Sequence, residues 1–330
     1  MTEFGVLCFS GAMGRGSLDE GVSYDLARRL AVAAEQLGYD AFLLPDELFI
    51  TVSPLVECWT ALAALARETC VIKIGPYVTC NSYRHPGLLA KMAATVDVVS
   101  DGRLQFYIGA CGWGQDVVHR AYGLPYGRLG ERVDTLKEAI QVIRALWTQE
   151  RVSFEGQHYS LHDAICEPKP VQRPLEIWTG GSNDRLIEAA AAVADGWDAG
   201  FCTLDGFIRM SETLDRACAR VGRNPNEVKR SMHWHTTLIG RDESEVEDKK
   251  QRFMGPILEA KSRHPTRWIR ELPIEEYVDR RFLMGTPAEC AEKLSGFIKH
   301  GCDRLNFVFP DAREIKPLQV FAENVISRFK

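Results

Sequence analysis

Short apolar runs alternate with amphipathic stretches along this chain, and the alternation repeats about eight times. Residues 3–10 (EFGVLCFS), 40–45, 71–79, 104–109, 175–179, 196–199, 230–239 and 303–309 are short and largely apolar, the pattern of strands buried on both faces. The stretches Tyr24 to Leu37, Pro54 to Arg67, 127–148, 185–193 and about 206–220 place apolar residues at helical spacing. In the third unit the strand runs into the polar segment Asn81-Ser82-Tyr83-Arg84-His85. Pro86 then suits the first turn of a helix, where its missing N–H costs nothing. Leu88, Leu89, Met92, Ala93, Val96 and Val99 supply that helix's apolar face, and Asp101-Gly102 closes it. Thr286-Pro287 opens a further helix before the last strand, and a terminal helix ends at Lys330.

Eight alternations in 330 residues predict an α/β fold, a (β/α)8 TIM barrel of about 250 residues plus insertions. The whole chain, 1–330, is expected to form one domain. RVSFEGQHYSLHD alternates like a small hairpin and falls in an insertion near 151–168. A charged segment at 241–281, interrupted by Pro256, Pro265 and Pro273, predicts a helical excursion over the barrel mouth. A doubly wound open sheet would show a switch point and usually a glycine fingerprint in its first turn. Neither is present. The segment GAMGRGSLDEG lacks the Lys-Ser/Thr of a phosphate loop and reads as a flexible loop over the mouth.

Forty Lys and Arg against 45 Asp and Glu give a net charge of −5 with no long run of either sign, so no nucleic-acid or anionic-membrane surface is expected. The N-terminus has no signal-peptide pattern and no run is apolar enough to span a membrane; a soluble, cytoplasmic protein is the expectation. The ten cysteines are scattered without a CxxC pair, which favours reduced thiols over a disulfide or zinc framework.

A barrel of this kind carries its chemistry where strands end in βα loops. Polar groups collect there. Asp46 and Glu47 follow the second strand and are candidates for acid/base or substrate-orienting work, since a carboxyl enclosed by apolar walls holds a proton closer to neutral pH. Thr79, Asn81, Tyr83, Arg84 and His85 follow the third; Cys111, Trp113, Gln115 and Asp116 follow the fourth. After the fifth comes Thr179-Gly180-Gly181-Ser182-Asn183-Asp184, leading into a helix. Two glycines there permit close backbone approach, and Ser182 or Asn183 can cap a helix whose N-terminus attracts an anion; the same residues also describe an ordinary helix-initiating turn. His233-Trp234-His235 puts two histidines on one strand face, but no supporting ligand lies at a suitable spacing. No metal site is expected, and the histidines read as lining the barrel. Cys111, with no evident partner histidine, reads as an inert or pocket-lining thiol.

Several of these segments, taken in order, resemble the luciferase-like flavin oxidoreductase superfamily, most closely the branch associated with the deazaflavin coenzyme F-420. They are Val78-Thr79, Tyr83-Arg84-His85-Pro86, Leu89-Ala90-Lys91, Ala94-Thr95, Asp97, Ser100, Gly102-Arg103, Gly112-Trp113, Ala121-Tyr122-Gly123, Phe154-Glu155-Gly156, Pro168 to Gln172, Gly180-Gly181 and Ala194 to Trp197. The resemblance implies coenzyme F-420 or FMN as cofactor, a small-molecule substrate and a homodimer, with helices near strands two to four at the interface. It implies a bulge behind the ring with a cis peptide at Tyr77-Val78, Thr79 and Asn81 at the ring edge, Gly112 and Trp113 in the cofactor site, and Gly180, Gly181 and Ser182 as a phosphate seat. Two departures stand out. Glu47 occupies the place of a histidine common in similar proteins, and the segment from Gly109 to Val118 lacks their run of glutamates.

The resemblance implies hydride transfer between a deazaflavin and a small organic substrate. The alternatives are an FMN-dependent monooxygenase and a non-catalytic ligand-binding barrel; a cofactor-free hydrolase is disfavoured because no second carboxylate stands clearly at a strand end.

Overall fold

The computed structural model describes residues 2–9, 22–49, 55–112, 115–262, 267–311 and 314–330. Its strands in chain order are β1 (Glu3–Leu7), β2 (Ala41–Leu44), β3 (Lys73–Pro76), β4 (Thr79–Cys80), β5 (Phe106–Gly109), β6 (Val152–Glu155), β7 (Ser160–Ala164), β8 (Ile177–Gly180), β9 (Gly196–Asp198), β10 (Lys229–Trp234), β11 (Thr236–Ile239), β12 (Phe282–Gly285) and β13 (Arg304–Phe307). Nine of these form one parallel sheet in the order β3-β2-β1-β13-β10-β9-β8-β5-β4. β3 and β4 are two halves of a single barrel stave, separated by a cis peptide at Tyr77–Val78. A parallel bridge from Ile74 to Leu104 joins this stave to the segment leading into β5, so eight staves close into a TIM barrel.

The helices are α1 (Tyr24–Gln36), α2 (Cys58–Glu68), α3 (Pro86–Val99), α4 (Gln115–Tyr122), α5 (Leu129–Thr148), α6 (Asp184–Val193), α7 (Leu204–Arg220), α8 (Glu243–Ser262), α9 (Arg267–Glu271), α10 (Ile274–Arg281), α11 (Pro287–Lys299) and α12 (Lys316–Asn324). Their apolar stripes meet the outward faces of the staves in one large core that includes Leu62, Leu89, Phe106, Ile143, Trp197, Trp234 and Phe307. Burying each such side chain contributes about 1.5–3 kcal/mol. The inward faces form a second, smaller cluster of Leu7, Leu43, Tyr77, Tyr107, Trp178 and Val308. At the N-terminal end of the staves, Arg304 packs on the Trp178 ring and pairs with Glu3 and Glu176. Charge pairing at that end of a barrel serves stability.

Several residues that stand out in the sequence fasten the frame. Asp97, fully buried at the end of α3, accepts from the Leu104 N–H and from both the backbone and side chain of Gln172. Arg103 donates to the carbonyls of Ala66, Thr69, Ile72 and Ser100. His85 caps α3, its Nδ1 accepting from Gly87 N–H at 3.1 Å. These side chains hold the third βα unit in place, and that unit carries much of the site.

Three details differ from the sequence reading. The run 230–239 is not one strand: β10 stays in the barrel while β11 leaves it and pairs in parallel with β12. Apolar composition is the same on both sides of His235, so periodicity cannot see the break. Gln115 to Tyr122, which the sequence marks only as following the fourth strand, forms a helix with Val118 and His119 buried. Finally, Cys80 and Cys111 are joined in a disulfide across a Cα–Cα distance of 5.2 Å, against the expectation of reduced thiols and of an isolated Cys111. The two lie 31 residues apart and meet because β4 and β5 pair Cys80 with Gly109, a relation no local spacing rule contains. The other eight cysteines are free, all buried except Cys70.

β6 and β7 form an antiparallel hairpin. The segment from β11 through β12 builds a small core of its own around Leu238, Phe253, Ile257, Tyr277 and Phe282. Pro256 lies within α8 and does not break it.

Candidate active site

The C-terminal ends of the staves bring two titratable groups together. The first stands after β2. Asp46 is 4% exposed and Arg84 grips both its oxygens, at 2.6 and 2.9 Å. The Cys80 N–H donates to the same carboxylate at 3.2 Å, tying the end of β2 to the end of β4. Burial raises the Asp46 carboxyl above its ordinary range, and the bidentate guanidinium offsets part of that push. Arg84 also reaches Glu57 at 2.7 Å, and Glu57 accepts from Trp59 and Thr60 N–H at the start of α2. Asp46 is thereby fixed in place.

Glu47 is different. It has no such cation among the described residues, and burial together with the neighbouring Asp46 charge raises its carboxyl to about 7. A carboxyl poised there gives and takes a proton at physiological pH. Glu47 and Asp46 also push the nearby Tyr83 phenol up, in addition to burial, and Tyr83 Oη donates to Gln115 Oε1 at 2.6 Å.

The second group centres on Asp198, at the end of β9. It accepts from Tyr77 Oη at 2.5 Å, Ser231 Oγ at 2.6 Å and Gly200 N–H at 2.8 Å, and His233 Nδ1 lies 3.3 Å away. Burial pushes this carboxyl up, but His233, Ser231 and Tyr77 together outweigh burial and hold it below the usual carboxylate range. His233 Nε2 meets His235 Nε2 at 3.1 Å, and Phe201 packs edge-on to both rings. Burial, Arg281 and His233 all depress the His235 imidazole, so it is neutral at physiological pH. The sequence reading placed the histidines on the barrel lining but missed Asp198. The available signal was an acidic residue closing an otherwise buried strand after Trp197.

The remaining sequence candidates fall at the same end of the barrel. Tyr77 projects into the barrel interior, half of a cis peptide with Val78. Thr79 and Asn81 are buried, and the Thr79 Oγ1, Asn81 Oδ1 and Thr179 Oγ1 atoms have no hydrogen-bond partner among the described residues. Gly112 follows the disulfide and has open space where a side chain would stand; Trp113 and the glycine-rich segment 11–21 lie outside the described residues. In the fifth loop, Asn183 rather than Ser182 caps α6, accepting from Arg185 N–H. The Gly181 N–H already donates to Asp198 O at 3.0 Å and is not available to a phosphate. Gly180 ends β8, and Ser182, exposed between it and the cap, is the group that loop can present.

A barrel with a near-neutral carboxyl and a buried Asp-Tyr-His group at one mouth defines a small-molecule enzyme. The chain belongs to the luciferase-like monooxygenase family, whose model matches residues 2–304, and it is an oxidoreductase of that group. It is 28% identical over 319 residues to an F420-dependent glucose-6-phosphate dehydrogenase from Microbacterium testaceum, covering 91% of each chain. Its fold matches the coenzyme F420-dependent tetrahydromethanopterin reductase from Methanopyrus kandleri with a TM-score of 0.80, at 19% identity over 100% of this chain and 99% of that one. It matches the monooxygenase RslO1 from Streptomyces bottropensis with a TM-score of 0.79, at 20% identity over 99% of this chain and 100% of that one.

The residues present fit a flavin-type cofactor. Unpartnered buried oxygens cost about 1–3 kcal/mol each, and Thr79 Oγ1, Asn81 Oδ1 and Thr179 Oγ1 are such atoms near the strand ends. The apolar interior formed by Tyr77, Tyr107 and Trp178 gives a flavin ring a floor.

Proposed function

We propose that this protein transfers hydride between the deazaflavin coenzyme F-420 and a small alcohol or carbonyl substrate, with Glu47 managing the substrate proton. The observation that carries the reading is the Glu47 carboxyl at about 7, near strand ends where Thr79 Oγ1 and Asn81 Oδ1 lie buried without a partner among the described residues. The relatives that cover 91% and 90% of the chain and are named for dependence on F420 support the choice of coenzyme, and a sugar phosphate is the first substrate class to try.

When bound, the coenzyme supplies a two-electron carrier that does not need oxygen. The chain supplies the rest. Thr79, Asn81 and Gly112 would hold the ring edge, Tyr77 and Val78 would back it, and Ser182 with the start of α6 would receive the phosphate end. Asp46, locked by Arg84, fixes the backbone from which Glu47 projects. Glu47 takes the hydroxyl proton as an alcohol is oxidised, or returns it to a carbonyl in the reverse sense. Asp198 anchors Tyr77 Oη and His233, so that Tyr77 stays in place and the neutral His235 offers a donor or acceptor without a charge.

Localisation to the cytoplasm and assembly as a homodimer belong to the same reading. No described helix is long and apolar enough to cross a membrane, and Val71 and Leu88 expose apolar surface beside the third stave.

Anaerobic incubation with coenzyme F-420 and a panel of sugar phosphates and secondary alcohols, following the coenzyme's absorbance, tests the proposal. Substrate-dependent bleaching is expected. Turnover seen only with reduced FMN and oxygen would replace it with monooxygenation.

A further inference from the structure

One buried cluster has no part in the chemistry above. Cys80 Sγ, Cys111 Sγ and His119 Nε2 lie within 4.8 Å of one another, and all three residues are buried. They come from three elements: the end of β4, the segment after β5, and α4. In the folded chain the two sulfurs are joined as a disulfide. His119 Nδ1 faces the Gln115 carbonyl at 2.6 Å. A carbonyl can only accept, so Nδ1 carries the proton and Nε2 keeps its lone pair. That lone pair faces Ser82 Oγ, in hydrogen-bond contact, and Cys80 Sγ at 3.9 Å. Ser82 Oγ is in turn 3.4 Å from Cys80 Sγ and 3.3 Å from Cys111 Sγ. The rings of Tyr83 and Tyr126 pack against the imidazole, with centroids at 5.3 and 4.8 Å.

In this oxidised form the Ser82 hydroxyl is the nearest partner of Nε2, and the Cys80 sulfur stands just beyond it. A soft divalent cation would draw the same nitrogen and both sulfurs to itself. Two sulfurs and one imidazole are a common ligand set for zinc, and a backbone carbonyl holding the second imidazole nitrogen is the usual outer support of such a ligand. We propose that Cys80, Cys111 and His119 form a Zn2+ site when the cysteines are reduced, with Ser82 Oγ as the oxygen donor nearest the fourth position.

The disulfide is then the oxidised, metal-free form of the same site. Two molecules of a thiol reductant convert it to two thiols and leave as one disulfide, so two electrons and two protons pass to the cysteines. Zn2+ binding next releases both protons as two Zn–S bonds form. Either form clasps the segment carrying Thr79 and Asn81 to the segment carrying Gly112, but the metal also recruits α4 through His119. The inference does not depend on which coenzyme or substrate the protein uses.

The test uses the full chain. Protein reduced anaerobically with a phosphine, freed of reductant, incubated with Zn2+ and desalted is assayed for metal by mass spectrometry; a parallel sample receives Co2+. The expected result is one Zn2+ retained per chain, and a cobalt spectrum with thiolate charge-transfer and tetrahedral bands. Cys80→Ser, Cys111→Ser and His119→Gln should each lose both signals. Cys70→Ser, which changes an exposed thiol elsewhere, should keep them, and circular dichroism of each variant separates loss of the site from loss of the fold. Retention by reduced wild-type protein no greater than by the His119→Gln variant would overturn the proposal. So would equal uptake by the unreduced protein, or a bridge that resists reduction while the chain stays folded.

Discussion

Arg84 binds both carboxylate oxygens of Asp46, at 2.6 and 2.9 Å, and the adjacent Glu47 has no comparable cation among the described residues. Two neighbouring carboxyls thus receive opposite treatment. One is clasped by a guanidinium, while the other is left near 7, where a proton transfers most readily.

Removing the cation should expose the cost of that arrangement. Arg84→Met leaves Asp46 buried and uncompensated, a change expected to destabilise the fold by about 3–5 kcal/mol. Denaturant melts at pH 7 would measure it. The double variant Arg84→Met/Asp46→Asn should recover part of the loss, because the stranded charge is gone.

Glu47→Gln should lower kcat by about 10²–10⁴ with little change in cofactor binding, and it should remove an ionisation near pH 7 from the rate profile. The same residue has a stability signature. Its folded pKa of about 7 stands above the ordinary 4.5, so the folded protein keeps a proton that the unfolded chain has released. Stability therefore falls as pH rises between those values, and the cost is complete above about 7. Glu47→Gln should flatten the slope in that window.

For Asp198 the sign is reversed. Its folded pKa lies below the ordinary carboxylate value of 3.8, so its contribution to stability is present above that value and is lost as pH falls through the folded pKa. Asp198→Asn weakens charged hydrogen bonds to Tyr77 and Ser231 and should cost about 1.5–3 kcal/mol for each bond lost. Chemical denaturation at neutral pH would show the cost, and repetition at pH 3 should show a smaller difference.

The closure of the barrel at its broken stave can be tested sterically. A Cβ added at Gly75 would lie 2.0 Å from the backbone oxygen of Gln105, an atom that cannot swing aside. Gly75→Ala should destabilise the protein by about 1–3 kcal/mol or more and shift β3 away from the segment before β5, visible as faster hydrogen exchange at Ile74 and Gln105, whose N–H groups bond across that gap.

Much of this architecture is legible in the residues because parallel strands covered on both faces leave short apolar runs, and each is followed here by polar residues at its C-terminal end. That rule alone singles out Asp46, Glu47, Thr79 and Asn81 as polar residues at strand ends, while a ring-edge role for Thr79 and Asn81 and the cis peptide at Tyr77–Val78 come only with the resemblance. What stayed hidden depends on register between distant segments. Arg84 meets Asp46 across 38 positions, Asp198 gathers Tyr77 from 121 positions away, and Cys80 reaches Cys111 only after β4 pairs with β5. The split of β10 from β11 has the same cause, since it depends on which neighbour each half pairs with.

The central claim is that this mouth holds a deazaflavin, and a competitive titration tests it most directly. Purified, folded protein is titrated with coenzyme F-420 and with FMN, following coenzyme fluorescence and calorimetric heat, with Thr79→Val and Asn81→Ala as site variants. Saturable coenzyme F-420 binding is predicted, with FMN at least about tenfold weaker and each variant losing about tenfold, the effect of about 1.4 kcal/mol. Tighter binding of FMN, or no binding of either by folded protein, would contradict it.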